Sequence, residues 1–207
     1  HILLTHAHLD HIRGIPFLAD NLILKNKKHS VQIHAISAVL RDLKKNLLND
    51  RIWPDFTSIP SQERPILRLK TIRVGKAFTL NGYRITTYHV NHSVPATGYV
   101  VENKRGKRIL YTGDTGPTDR IWKECRKRVH LAIIEVSMPN RMRQMAIKTG
   151  HLTASLLKAE FKKMETIPDK ILITHPKPQY QRKIKEELRN LKMKNVRLLR
   201  DGESFVV

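Results

Sequence analysis

The sequence of 207 residues predicts an α/β fold, with sheet layers covered by helices on their outer faces. Two observations predict it. Short apolar runs of strand length alternate with segments of helical periodicity. Ligand-type polar residues also fall just past several of the apolar runs, where a rigid scaffold can aim side chains.

The elements follow in order. Ile2 to Thr5 reads as a short buried strand. Asp10 to about Leu24 reads as a helix, with apolar residues at Ile12, Ile15, Phe17, Leu18, Leu22 and Ile23. Val31 to Ile36 is a strand, followed by a helix from Ser37, its expected N-cap, to about Leu48. Asn49 to Pro65 carries three prolines and reads as a long loop, of a length that is usually functional or mobile. Leu67 to Val74, Ala77 to Leu80 and Tyr83 to His89 read as strands, with Asn81-Gly82 as the hairpin turn between the last two. Gly98 to Glu102 and Arg108 to Thr112 form a second hairpin across Asn103 to Lys107. Then helices are expected at Arg120 to Lys127, Ala154 to Met164 and Gln181 to Leu191. Strands are expected at Leu131 to Val136, Lys170 to Thr174, Val196 to Leu199 and Ser204 to Val207. There is no internal repeat and no low-complexity segment. A hydrophobic fraction of 40% supports one sizeable domain, residues 1–207.

The chain opens at His1 without a methionine and is already in an apolar strand, as expected of a fragment that has lost N-terminal structure. No apolar run approaches the ~18 residues of a membrane span. Cys125 is the single cysteine, which excludes an internal disulfide and a cysteine-built zinc site and fits a reducing, cytoplasmic compartment. The formal charge of +21, from 39 basic and 18 acidic residues, makes an anionic substrate easier to accommodate than a cationic one.

The stretch Thr5-His6-Ala7-His8-Leu9-Asp10-His11 follows the first apolar run. In extended backbone His6 and His8 point the same way and can reach one ion. Asp10 and His11 follow as the chain turns into a helix, so they point to a neighbouring position. Nitrogen and carboxylate ligands without cysteine suit zinc, with iron or manganese as alternatives. The bland reading, surface polar residues with Asp10 as a helix cap, explains so dense a ligand set poorly. Three later strand ends repeat the pattern: His89 and His92 in Tyr88-His89-Val90-Asn91-His92, Asp114 between glycines, and His175 after Ile171 to Thr174. Positions three apart on a strand face opposite sides, so His89 and His92 cannot both point into one site.

His6 to His11 has the HxHxDH form, and this resembles the metallo-β-lactamase superfamily. His92, Asp114 and His175 match the later ligand positions in order. The resemblance implies a four-layer αβ/βα sandwich lacking the superfamily's N-terminal strands, with two divalent metal ions at one edge. It implies that the first ion takes His6, His8 and His92, that the second takes Asp10, His11 and His175, and that Asp114 bridges both. It favours His92 over His89.

Within the superfamily, THAHLDHIRGIPFLADN resembles the signature of class II 3′,5′-cyclic-nucleotide phosphodiesterases, although Pro16 and the Ala19-Asp20 pair depart from it. NDRIWPDFTSIP, HSVPATGY, YTGDTGPTDRIW and GHLT resemble bacterial members of that branch. HSVPATGY, with Glu135 and His151, also resembles the tRNA 3′-processing endonucleases, in which a strand Glu and a His in a short HxT turn act as a dyad. Both branches cleave phosphodiesters.

Two dications lower the pKa of a shared water from ~15.7 towards 7, and the departing alkoxide needs a proton. His151, oriented by Glu135, is the candidate donor. Asp10, Glu135 and His151 therefore stand as candidate catalytic residues. A Glu inside Ala132 to Val136 needs a partner in any case, since an unpaired buried carboxylate is costly. His29, His34 and His130 read as surface or core residues. Trp53, Phe56 and Tyr99 could stack on a base, though such aromatics are more often core. Arg141, Arg143 and Lys148 lie between Glu135 and His151, where phosphate contact competes with a solvated charge run.

The expected substrate is a 3′,5′-cyclic nucleotide, cyclic AMP first. The alternative is RNA, which the charge favours and the lack of a long basic Gly/Pro-rich arm disfavours. A metal-binding scaffold without catalysis is the third reading, and the complete ligand set argues against it. No membrane partner is expected, and a dimer is compatible with the sequence.

Overall fold

Apolar strands joined by helical crossovers pair parallel, because a tight hairpin cannot return the chain in the same direction. The computed structural model, which describes residues 1–24 and 30–207, shows this in the first of two compact units, His1–Arg73. Its sheet has the order β1 (Ile2–Leu3), β2 (Val31–Ala35), β3 (Leu67–Thr71), all parallel. Ile33 and Ala35 of the central strand are fully buried.

The single helix expected over 10–24 is two: α1 (Leu9–Ile12) and α2 (Gly14–Leu24). Pro16 explains the break. It has no N–H to return to the Ile12 carbonyl, and its ring clashes with that oxygen. Ile12, Ile15 and Ala19 are buried, whereas Phe17 is exposed and stands edge-on to Trp53 at 5.3 Å. In α3 (Ser37–Asn46) Ser37 is the first helical residue rather than the cap. Ile36 holds the cap position in extended backbone and makes no side-chain bond. Val39, Leu40 and Leu43 bury one stripe of α3. Asp55 ties down the 49–65 loop by accepting from the Thr57 amide at 3.1 Å and pairing with Lys44 at 2.6 Å. Phe56 beside it is core.

The second unit, Val74–Val207, holds a seven-stranded sheet. Its strands are β4 (Phe78–Leu80), β5 (Tyr83–His89), β6 (Thr97–Glu102), β7 (Arg108–Tyr111), β8 (Leu131–Glu135), β9 (Lys170–Thr174) and β10 (Val196–Leu198). The spatial order runs from β4 to β10 in sequence order, antiparallel from β4 to β7 and parallel from β7 to β10. Asn81 and Gly82 both have positive φ, 48° and 84°, as the expected hairpin turn demands. Since β5 and β7 are both antiparallel to β6, the chain leaves β5, β7, β8 and β9 at the same edge of the sheet. That shared edge is where the ligand-type residues of this unit fall.

Three helices follow the parallel strands: α4 (Arg143–Thr149), α5 (Ala154–Phe161) and α6 (Gln181–Arg189). The sequence reading missed α4, because only Ala146 of it is buried and it carries no apolar stripe. Arg120–Arg126 is a 3-10 helix. Its entry is shaped by a buried carboxylate: Glu160 of α5 accepts from Thr118 N at 2.9 Å and from Trp122 Nε1 at 2.7 Å. Ser204–Val207 is not a strand; Lys170 and Arg197 each place a cation 5.4 Å from the Phe205 ring. No helix among the described residues is long and apolar enough to cross a membrane.

Glu160→Ala leaves two buried donors without an acceptor and removes a partner of Lys163. We expect a loss of about 2–4 kcal/mol in urea unfolding, with Glu160→Gln losing less because an acceptor oxygen remains.

Candidate metal centre

In the first unit, the loop after β1 gathers imidazoles. His6 is fully buried. Its ring lies 4.8 Å from that of His8 and 4.1 Å from that of His11. Thr5 Oγ1 is 3.0 Å from His6 Nδ1. His8 keeps extended backbone (φ −65°, ψ 145°) immediately before α1, which places Asp10 and His11 in the first turn. Asp10 Oδ2 stands 3.8 Å from His11 Nε2. Of the histidines set aside from the site, His34 is buried against His1, with rings 5.3 Å apart, and His29 lies outside the described residues.

In the second unit, the sheet edge described above presents His92, Asp114, Glu135, Ser137, His151 and His175. The donor atoms of Asp114, His151 and His175 lie within 4.8 Å of one another. His175 Nε2 is 3.5 Å from Asp114 Oδ2, and its ring stacks on His151 at 5.8 Å with an interplanar angle of 14°. His92 stands edge-on to His151 at 5.1 Å. Glu135, the last residue of β8, is completely buried and accepts from His151 Nδ1 at 2.7 Å, from Ser137 Oγ at 2.9 Å and from Thr115 N at 3.2 Å. Burial holds the Glu135 carboxyl above its ordinary pKa, against the pull of His151. Burial pushes His151 down, but the hydrogen bond and charge of Glu135 outweigh it and hold His151 above the usual histidine value.

One further contact sets a tautomer. The Gly150 carbonyl can only accept, so His92 Nδ1, 2.8 Å away, carries the hydrogen and Nε2 is the lone-pair nitrogen. Such a carbonyl behind an imidazole is the usual outer partner of a metal-bound histidine. With carboxylates and imidazoles as the donor set and no thiol among them, the residues fit zinc, iron or manganese. The Gly150 backbone is left-handed (φ 70°) and closes α4. A Cβ there would sit 2.7 Å from His92 Cα, so only glycine allows the turn to approach the His92 backbone.

Several candidates fall elsewhere. His89 is exposed at the end of β5. His130 Nδ1 accepts from Arg108 N at 3.2 Å. Tyr99 is core, and Trp53 is half-buried beside Phe17. Arg141, Arg143 and Lys148 are exposed, and Arg141 stacks over Tyr180 at 5.5 Å. Sequence reasoning assigned no role to Ser137. The available signal was its spacing of two from Glu135 in extended backbone, which puts both side chains on one side.

A domain-family profile described as Beta-lactamase superfamily domain matches residues 1–175. A probable 3′,5′-cyclic-nucleotide phosphodiesterase of Yersinia pestis is 28% identical over 203 residues, covering 86% of this chain and 57% of that protein. This chain thus spans little more than half the length of that relative. A ribonuclease Z of Archaeoglobus fulgidus is 21% identical over 231 residues, covering 87% of this chain and 71% of that protein. Among solved structures, unliganded yeast PDE1 superposes with a TM-score of 0.80 at 22% identity, over 95% of this chain and 64% of that one.

Gly150→Ala should cost about 1–3 kcal/mol in urea unfolding, because the new methyl has no room against His92. The imidazole resonance of His92 should shift in the same variant; an unshifted resonance would show that the contact does not hold the ring.

Proposed function

Because the chain belongs to the metallo-β-lactamase superfamily, we propose that it is a metal-dependent phosphodiesterase that hydrolyses 3′,5′-cyclic nucleotides, cyclic AMP foremost, to nucleoside 5′-phosphates. Under this reading His6, His8 and His92 hold one divalent ion, Asp10, His11 and His175 hold a second, and Asp114 is shared. Zinc is the first choice, with iron or manganese suited to the same donors. When bound, such a pair supplies activated water at neutral pH and neutralises charge on the phosphate.

The observation that carries the reading is the buried Glu135–His151 pair, 2.7 Å apart, among Asp114 and His175. Glu135 engages His151 at Nδ1, so the imidazole can hold its transferable proton at Nε2. From there it can protonate the departing alkoxide. Asp10, which is exposed, serves in this scheme as a ligand and as the carboxylate that orients the attacking water.

A second reading, an RNA phosphodiesterase, is favoured by the charge of +21 and by the ribonuclease Z relative. The name of the Yersinia relative, with its higher identity, favours the cyclic nucleotide.

Hydrolysis of bis(p-nitrophenyl) phosphate should be abolished by a chelator and restored by zinc; activity that survives chelation contradicts the metal-dependent reading. His151→Ala should lower kcat by roughly 10²–10⁴-fold, the usual worth of a general acid, with bound metal unchanged. Offered cyclic AMP and a precursor tRNA side by side, the protein should release 5′-AMP. Cleavage of the tRNA alone would replace the first reading with the second. Binding that weakens steeply with salt would point the same way, since many phosphate contacts release many counterions.

A further inference from the structure

Ser137 sits just past β8 and is completely buried. Four polar atoms surround its hydroxyl: Glu135 Oε2 and His175 Nδ1 at 2.9 Å each, the His175 carbonyl at 3.1 Å and His151 Nδ1 at 3.2 Å. A hydroxyl has one hydrogen to give and two lone pairs to offer. His151 Nδ1 is nearer to Glu135 Oε1, at 2.7 Å, and its hydrogen belongs there. With Glu135 ionised opposite His151, the two oxygens facing Ser137 can only accept, so they compete for its single hydrogen. The remaining group, His175 Nδ1, is therefore the donor to Ser137 Oγ. That choice makes His175 Nε2 a lone-pair nitrogen, and Nε2 is the atom 3.5 Å from Asp114.

We infer that Ser137 is a positioning residue that fixes His175 as a metal ligand and couples it to the Glu135–His151 pair. The inference rests on the proposed function, because it assigns His175 to the second ion. The chain of bonds runs one way. His175 Nδ1–H donates to Ser137 Oγ, the Ser137 hydroxyl donates to Glu135 Oε2, and Glu135 Oε1 accepts from His151. One carboxylate thereby sets both the ligand and the proton donor. The backbone supports this arrangement, for His175 occupies left-handed conformation, φ 62°, which is uncommon for a residue with a side chain. In that conformation its own carbonyl and its own ring both reach the same hydroxyl. An alanine at 137 leaves the ring's Nδ1 without this acceptor and permits the other tautomer, in which Nε2 carries the hydrogen and cannot ligate.

The test is Zn²⁺ binding by chelator competition on the wild-type chain, Ser137→Ala and Ser137→Cys, with bis(p-nitrophenyl) phosphate kinetics alongside. Wild type should bind two ions. Ser137→Ala should keep one at wild-type affinity and hold the other about 10–100-fold more weakly, the usual effect of losing a partner behind a ligating histidine. At saturating zinc its kcat should remain depressed while KM is unchanged, because the hydroxyl also anchors Glu135. Ser137→Cys, of similar volume with a weaker donor and acceptor, should fall between, and it decides the matter if the alanine variant does not fold. Wild-type affinity for both ions in Ser137→Ala overturns the inference and leaves the proposed function standing. Equal weakening of both ions also overturns it, since general loosening would do that. A wild-type protein that binds fewer than two ions sinks the proposed function and this inference together.

Discussion

The second unit is organised around one buried carboxylate. Glu135 ends an otherwise apolar strand with no solvent to stabilise its charge, and an unpaired carboxylate there would cost several kcal/mol. The chain meets that cost by bringing three donors from three places: the Thr115 amide after β7, the Ser137 hydroxyl after β8 and the His151 ring before α5. Each donor drags a site residue with it. Thr115 carries Asp114. His151 arrives on the turn whose Gly150 carbonyl holds His92. Ser137 reaches His175. Thr115 also links to the His92 loop directly, through its hydroxyl to the Asn91 amide at 3.3 Å, and Gly116 N donates to the Asn91 carbonyl at 2.6 Å.

Much of this was legible in the sequence, for reasons that differ by residue. The strands were legible because short apolar runs bounded by turn residues have few other uses, and Asn81-Gly82 named its own hairpin. The edge was legible because polar residues recurred just past those runs. What periodicity could not convey was the effect of single residues on backbone. Pro16 divides a helix that the apolar spacing presents as continuous. The α4 helix buries one alanine and so left no stripe to read, although Gly150 already marked its end. Ser204 to Val207 has the aromatic and β-branched residues of a strand, yet Phe205 lies against two cations in irregular backbone. Ser137 was hidden for another reason. A serine just past a strand is ordinary, and its role comes from four atoms that the fold collects around it.

The same physics bears on the choice between substrates. Under the proposed function the polar edge holds metal and moves a proton, and both phosphodiester readings use it identically. They differ in what lies around it. A charge of +21 raises the local concentration of any phosphate ester, small or polymeric, and so favours anionic substrates as a class. Size selection has to come from surfaces that admit or exclude a polymer, and the exposed Arg141, Arg143 and Lys148 lie on the stretch between Glu135 and His151.

The central claim of the proposed function is that the histidines and aspartates named as ligands hold a pair of cations. Anomalous X-ray diffraction at the zinc edge, on crystals of the zinc-loaded protein, tests it most directly. The account predicts two peaks, each about 2.0–2.2 Å from its nitrogen and oxygen ligands, one among His6, His8 and His92, the other among Asp10, His11 and His175, with Asp114 touching both. A single peak, or peaks ligated by other residues, would contradict it.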